Sequence, residues 1–121
     1  MNRRSVTLWM TMVVAAWTLM PLAGCRGGMT LFNADRSEIQ SADPAIRIRA
    51  IIHAARAKDT GAIPLIVDRL EDEDQAVRLV AIESLKKFTE NDFGYRPYDP
   101  PYVRSKAVER WRCWIKEQAT H

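Results

Sequence analysis

The sequence predicts an all-α protein: a short α-solenoid of helical hairpins closed by a C-terminal capping helix. Three observations predict it. A nine-residue motif recurs at an offset of 31, Asp and Pro stand where helices should start, and apolar residues follow each start at helical spacing. Self-similarity at a period of roughly 20–50 residues marks stacked units, because one such unit cannot bury its apolar face alone.

The first copy is Asp43-Pro44-Ala45-Ile46-Arg47-Ile48-Arg49-Ala50-Ile51, and the second is Asp74-Gln75-Ala76-Val77-Arg78-Leu79-Val80-Ala81-Ile82. Asp, Ala, Arg, Ala and Ile are identical between them. A third, partial echo at Val103-Arg104 and Ala107-Val108-Glu109 follows the same order as Val77-Arg78 and Ala81-Ile82-Glu83. Each copy reads as a helix. Asp43 and Asp74 are N-caps, whose carboxylates accept from the unpaired amides of the first turn. Pro44 stands at the first helical position, where its missing N–H costs nothing. Val77, Ala81, Leu85 and Phe88 share one face, and Ile46, Ala50, Ala54 and Ala57 share the corresponding face one copy earlier.

Between the copies, Asp59-Thr60-Gly61 is a turn and Ala62 to Leu70 a shorter helix, with Pro64 tolerated in its first turn. Glu71 to Asp74 then leads into the next copy. The last third departs from this pattern. An aromatic, proline-rich connection from Phe93 to Pro101 precedes a helix at about 102–118 carrying Val103, Ala107, Val108, Trp111, Trp114 and Ile115. The end of a solenoid must be covered, and this helix is expected to do so, with its aromatic residues in core and cap packing. A ligand groove lined by Trp111, Trp114, Tyr95, Tyr98 and Tyr102 is the alternative.

Helix, turn and helix with a period of 31 resembles HEAT repeats, particularly the type found in phycobilisome lyase subunits. The residues that carry the resemblance are Ala62-Ile63-Pro64-Leu65-Ile66 for one helix, and Asp74, Val77, Arg78, Ala81, Ile82 and Leu85 for the other. It covers about residues 43–88, with a degenerate third unit to about 118. The resemblance implies that Asp43, Arg47, Asp74 and Arg78 form bridges between successive repeats.

The N-terminal third has a different character. Arg3 and Arg4 precede a run from Ser5 to Cys25 without a charged residue, and Pro21 and then Leu22-Ala23-Gly24-Cys25 close it. A positive start, an apolar stretch and small residues at the end are the marks of a secretory signal peptide. Leu22-Ala23-Gly24-Cys25 also resembles the lipobox of bacterial lipoproteins. The resemblance implies cleavage after Gly24, recognition through Leu22, Ala23 and Gly24, and lipid on Cys25. An uncleaved membrane helix is the alternative, since the run is long enough to span a bilayer. The twin-arginine pattern is not met by Ser5-Val6-Thr7. Each acyl CH₂ buried in lipid contributes about 0.8 kcal/mol, so two or three chains on one residue hold the protein permanently. Arg26 follows Cys25 where Asp would favour the inner membrane. The expected location is therefore the cell envelope, on the periplasmic face of the outer membrane.

The organisation expected is a signal peptide at 1–24, a lipidated N-terminus and linker at 25–40 opening on Gly27 and Gly28, and a helical repeat domain at 41–121. Within the linker, residues 29–40 are open to a short helix or a loosely docked arm, since Leu31, Phe32 and Ile39 show no clear periodicity. The formal charge of +3 does not indicate nucleic-acid binding. Leaving out Arg3 and Arg4, 16 basic residues face 15 acidic ones, with no clustered basic face. Of the two cysteines, a lipidated Cys25 cannot pair, so Cys113 is expected as an unpaired, buried thiol. No Cys/His cluster suggests zinc. Glu71-Asp72-Glu73-Asp74 lacks the glycine and distal glutamate of a calcium loop and reads as a solvated turn with an N-cap. His53 and His121 have no nucleophile or metal partner nearby in sequence. No catalysis and no cofactor are expected.

One apolar feature exceeds what the repeat requires. Ile48 and Ile52 lie one turn apart and roughly opposite Ile46 and Ala50, and Leu79 replaces Ile48 in the next copy. A helix apolar on both sides must be covered on both. Either the segment around Leu31 and Phe32 folds over this patch, or Ile48, Ile52 and Leu79 bind a protein partner. The function expected is a membrane-anchored scaffold or adaptor module. An accessory or lyase-like subunit, by repeat analogy, and a purely structural envelope lipoprotein are the alternatives.

Overall fold

Four α-helices make up the body of the computed structural model, which describes residues 35–121, and among those residues there is no strand. They are α1 (Pro44–Arg56), α2 (Ile63–Asp68), α3 (Gln75–Thr89) and α4 (Pro101–Gln118). Short 3-10 turns at Arg36–Gln40, Thr60–Ala62 and Arg69–Glu71 complete the hairpins. The architecture is a short HEAT-like solenoid with a long final helix, as expected. No helix of the described residues is long and apolar enough to cross a membrane. Residues 1–24, Cys25 and the Leu31–Phe32 segment lie outside the described residues.

The 31-residue period is visible atom by atom. Asp43 Oδ1 accepts from the Ala45 amide at 2.8 Å, and Asp74 Oδ1 accepts from Ala76 at 2.7 Å and Val77 at 3.2 Å. Two residues earlier, Ser41 Oγ and Asp72 Oδ1 take equivalent hydrogen bonds from the amides of Asp43 and Asp74. Ile39 and Leu70, again 31 apart, are both buried in the core. The 3-10 turn Arg36–Gln40, sequentially the end of the expected linker, is thus packed against α1 and α2.

The arginine of each motif folds back onto the chain before its own helix. Arg47 Nη1 donates to the carbonyls of Ser41 and Ala42 at 2.7 and 3.0 Å, and Arg78 Nη1 to those of Asp72 and Glu73 at 2.8 and 2.9 Å. In the third unit Arg104 Nη1 reaches the carbonyl of Asp99 at 2.6 Å, so the partial echo at Val103-Arg104 keeps the same device. Arg47 and Arg78 are structural, as the resemblance implies, but the bridging carboxylate is Asp72. Asp43 and Asp74 are occupied as caps. Arg47 Nη2 meets Asp72 Oδ1 at 2.9 Å and crosses from the first repeat to the second.

The buried phase of α1 is that of α3: Arg47, Ala50, Ile51 and Ala54 are buried, as are Arg78, Ala81, Ile82 and Leu85 one repeat further on. Ala50 and Ala54 are buried as expected, but the stripe runs through Arg47, Ile51 and Ala55, leaving Ile46 half-buried and Ala57 exposed at the C-cap. In α3 the expected face holds: Val77, Ala81 and Leu85 are buried, and Phe88 packs at its margin.

The connection after α3 is built by local polar groups. Glu90 ends α3 in the left-handed conformation, and Phe93 and Gly94 both have positive φ (47° and 74°). Asn91 and Asp92 side chains accept from the amides of Phe93 and Gly94 at 2.7 and 2.8 Å and hold that reversal. Tyr95 then plunges into the core, and its hydroxyl donates to the Leu70 carbonyl. Arg78 Nε donates to the Pro97 carbonyl at 3.1 Å, pinning the same loop to α3.

The loop delivers α4 onto α2 and the turn Arg69–Glu71, where Ala107, Val108 and Trp111 join the core. Phe93 meets Trp111 edge to face at 4.6 Å between ring centroids, and Trp114 meets Trp111 at 5.9 Å. The cap helix and its aromatic packing are therefore as read from the sequence, starting one residue earlier. Tyr98 and Tyr102 remain exposed and take no part in that packing.

Candidate functional site

The candidate site is the outer side of α1. Pro44 and the Asp43 cap start this helix, and its buried stripe through Arg47, Ala50, Ile51 and Ala54 leaves Ile48 and Ile52 only half-buried beside it. Both are half-buried and line a shallow groove of about 370 Å³ with Ala45, Arg49, His53 and Arg56. Ile48 also packs against the edge of the core. The floor is apolar, and Arg49 and Arg56 give the rim positive charge.

Leu79 does not belong to this groove. It stands one repeat further on, 37% exposed. The register explains why the patch weakens there: Glu83 occupies the position of Ile52, is exposed, and pairs with Lys86 at 3.2 Å. The structure thus brings Ile48 and Ile52 together and leaves Leu79 apart.

Charge elsewhere is spent on architecture. Asp72 holds Arg47, accepts from Arg69 at 3.4 Å and receives the Asp74 amide. Glu71 and Asp68 pair with Arg112 of α4 at 3.1 and 3.4 Å. The acidic turn 71–74 is therefore a junction between repeats and cap helix, with Asp72 buried rather than solvated. Among the described residues no three His, Cys, Asp or Glu side chains are grouped to hold a metal ion.

Local hydrogen bonds and ion pairs account for the shifted carboxylates. The Arg36 guanidinium, 2.7 Å from Asp59, holds the Asp59 carboxyl below its ordinary value, and the same pair raises Arg36. Asp92 is lowered by the Gly94 amide and then by Arg96. Asp35 is lowered by its hydrogen bonds from Ser37. Burial pushes the Tyr95 phenol up to about 12.

Cys113 departs from expectation. It is exposed, because α4 turns Ala107, Val108 and Trp111 inward and a residue two positions beyond Trp111 points about 200° away from it. It lies in a second groove, along α4, that sequence reasoning missed. The pattern Arg110, Cys113, Trp114 and Glu117 was the available signal. The expected signal-peptidase residues Leu22, Ala23 and Gly24, and Cys25, lie outside the described residues.

No curated relative and no solved structure matches the chain. Residues 36–93 match the family model described as HEAT repeats, beginning at the 3-10 turn that carries Ile39 and ending at Phe93. A fold of this kind is suited to protein–protein interaction, and residues 36–93 of this chain are a HEAT-repeat-like helical region.

Proposed function

We propose that this chain is a cell-envelope lipoprotein, held in the membrane through lipid on Cys25, whose HEAT-like body docks a partner protein on the outer side of α1. The observation that carries the anchor is the order of residues: Arg3-Arg4, an uncharged run, and Leu22-Ala23-Gly24-Cys25 at its end, followed by Arg26 and the glycines Gly27 and Gly28 ahead of the helical body. Arg26 after the cysteine favours the outer membrane. The docking half rests on the apolar floor of Ile48 and Ile52 beneath a basic rim. Such a groove fits an apolar segment flanked by acidic residues, since opposite charges at the rim steer and orient a partner.

Mass spectrometry of the full chain from bacterial membranes tests the anchor. The expected species begins at Cys25 and carries acyl mass, and Cys25→Ser is neither acylated nor cut there. An intact leader, or an unmodified Cys25, overturns the anchor. Crosslinking in intact cells tests the docking. One dominant protein partner is expected, lost in Ile52→Asp at an unchanged melting temperature. Ile52 serves better than Ile48, which also supports the core. Unchanged crosslinking in Ile52→Asp, or capture of cell-wall material alone, rejects the adaptor reading.

A further inference from the structure

Along α4 the chain leaves a groove of about 670 Å³. Phe93 and Trp114, both half-buried, supply its apolar surface, with the exposed Cys113 beside them. Arg110, Cys113, Trp114 and Glu117 follow one another at i, i+3, i+4 and i+7, a spacing that keeps them on one helical face. Opposite charges therefore flank an apolar pair. The midpoint between Cys113 and Trp114 lies about one helical turn, roughly 5 Å, from Arg110 on one side and from Glu117 on the other.

That arrangement is its own complement. A two-fold axis through the midpoint lays a second α4 antiparallel to the first. It brings Arg110 of each copy to Glu117 of the other, with Cys113 facing Cys113 on one side of the seam and Trp114 facing Trp114 on the other. The same operation leaves the two Glu109 side chains on one edge of the seam but nine residues, roughly 13 Å, apart along it, and so avoids a clash of carboxylates. An isologous interface needs one patch that meets itself in this way. Arg110 is already held for the purpose: its Nε donates to the Phe93 carbonyl at 2.8 Å, which fixes the stem of the side chain at the groove.

We propose that this face of α4 is a docking surface for a second copy of the chain, packed antiparallel about an axis between Cys113 and Trp114. One face of a single helix buries less than the roughly 800 Å² per partner of standard stable interfaces. Self-association is accordingly weak, with the paired charges setting register more than affinity. Trp114 is the anchor, in keeping with the role of half-buried aromatics at interface centres.

Cys113 supplies the readout, since its two copies lie beside the axis. The full chain in membrane vesicles is treated with copper–phenanthroline, which couples oxidation of two thiols to a disulfide with reduction of dissolved oxygen. A dimer is expected on a non-reducing gel, and it is absent in Cys113→Ser, which excludes a link through Cys25. Glu117→Arg, at an exposed position, lowers the yield at least fivefold with unchanged helical ellipticity. Adding Arg110→Glu restores it by swapping the pair. Sedimentation equilibrium of the full chain in density-matched detergent shows a monomer–dimer equilibrium that Trp114→Glu shifts to monomer. No Cys113-dependent dimer, an equal yield in Glu117→Arg, a crosslink to a different protein in its place, or a monomer at all concentrations overturns the proposal.

Discussion

Arg47 Nη2 lies 2.9 Å from Asp72 Oδ1, and the two side chains are only 6% and 3% exposed. This buried pair joins the start of the first repeat helix to the loop that starts the second, and Asp72 caps that loop at the same time. Removing one partner leaves the other charged and buried. Asp72→Ala is expected to cost about 3–5 kcal/mol, the usual penalty for breaking such a pair from one side. Arg47→Ala should cost distinctly less in the Asp72→Ala background than in the wild type, because the charge pair is then already broken and only the hydrogen bonds to the Ser41 and Ala42 carbonyls remain to be lost. Urea denaturation followed by ellipticity at 222 nm checks this, and equal losses in the two backgrounds would contradict it.

Tyr95 ties the connecting loop to the core through the Leu70 carbonyl. Tyr95→Phe leaves that carbonyl without its partner and is expected to cost about 1–3 kcal/mol. The pH dependence has a defined sign. Burial raises the folded phenol to about 12 from an ordinary 10.0. The unfolded chain therefore loses this proton first as pH rises. The contribution is whole below about pH 10 and is lost between about 10 and 12. Ultraviolet titration at 295 nm should show one phenol ionising late, and that step should vanish in Tyr95→Phe.

The repeat body was legible because its signals are local. Asp43 and Asp74 cap their helices, and Arg47 and Arg78 recur at one offset. The turn Arg36–Gln40 was half legible: five residues of 3-10 helix carry no periodicity and leave a short helix or a docked arm open, and the burial of Ile39 with the packing on α1 and α2 shows a docked 3-10 turn. The role of Asp72 was hidden for another reason. Its partner Arg47 is 25 residues away, and four consecutive acidic residues look alike in sequence. For Cys113 the residue type favours burial, whereas the helical phase of Ala107, Val108 and Trp111 turns it outward. At the candidate site, the apolar excess of α1 was readable, but the separation of Leu79 from Ile48 and Ile52 depends on how the repeats stack.

Gly61 shows how the first turn is tied to the second hairpin. A Cβ at Gly61 would come within 2.5 Å of the Arg36 guanidinium, the far end of a flexible side chain. Gly61→Ala should therefore displace Arg36 and release Asp59 without disturbing the fold. The Asp59 carboxyl is lowered mainly by its hydrogen bonds from Arg36, so its pKa should rise back towards 3.8. In the wild type this pair supports folding above the unfolded value and is lost as pH falls through the lower folded one. Carbon-detected NMR titration of Asp59 measures the shift, and an unmoved titration in Gly61→Ala would contradict the account.

Trp111 is the largest fully buried side chain, wedged between Phe93 and Trp114, yet its Nε1 is buried without a hydrogen-bond partner. Two terms of opposite sign follow. Trp111→Ala empties the cap core and is expected to cost about 3–5 kcal/mol. Trp111→Phe keeps much of the ring volume and also removes the unpaired donor, whose burial carries a penalty of about 1–3 kcal/mol. Its net cost should therefore be less than half that of Trp111→Ala. Urea midpoints of the two variants against wild type decide it. If phenylalanine costs as much as alanine, the indole N–H is satisfied in solution, and shape alone accounts for tryptophan at this position.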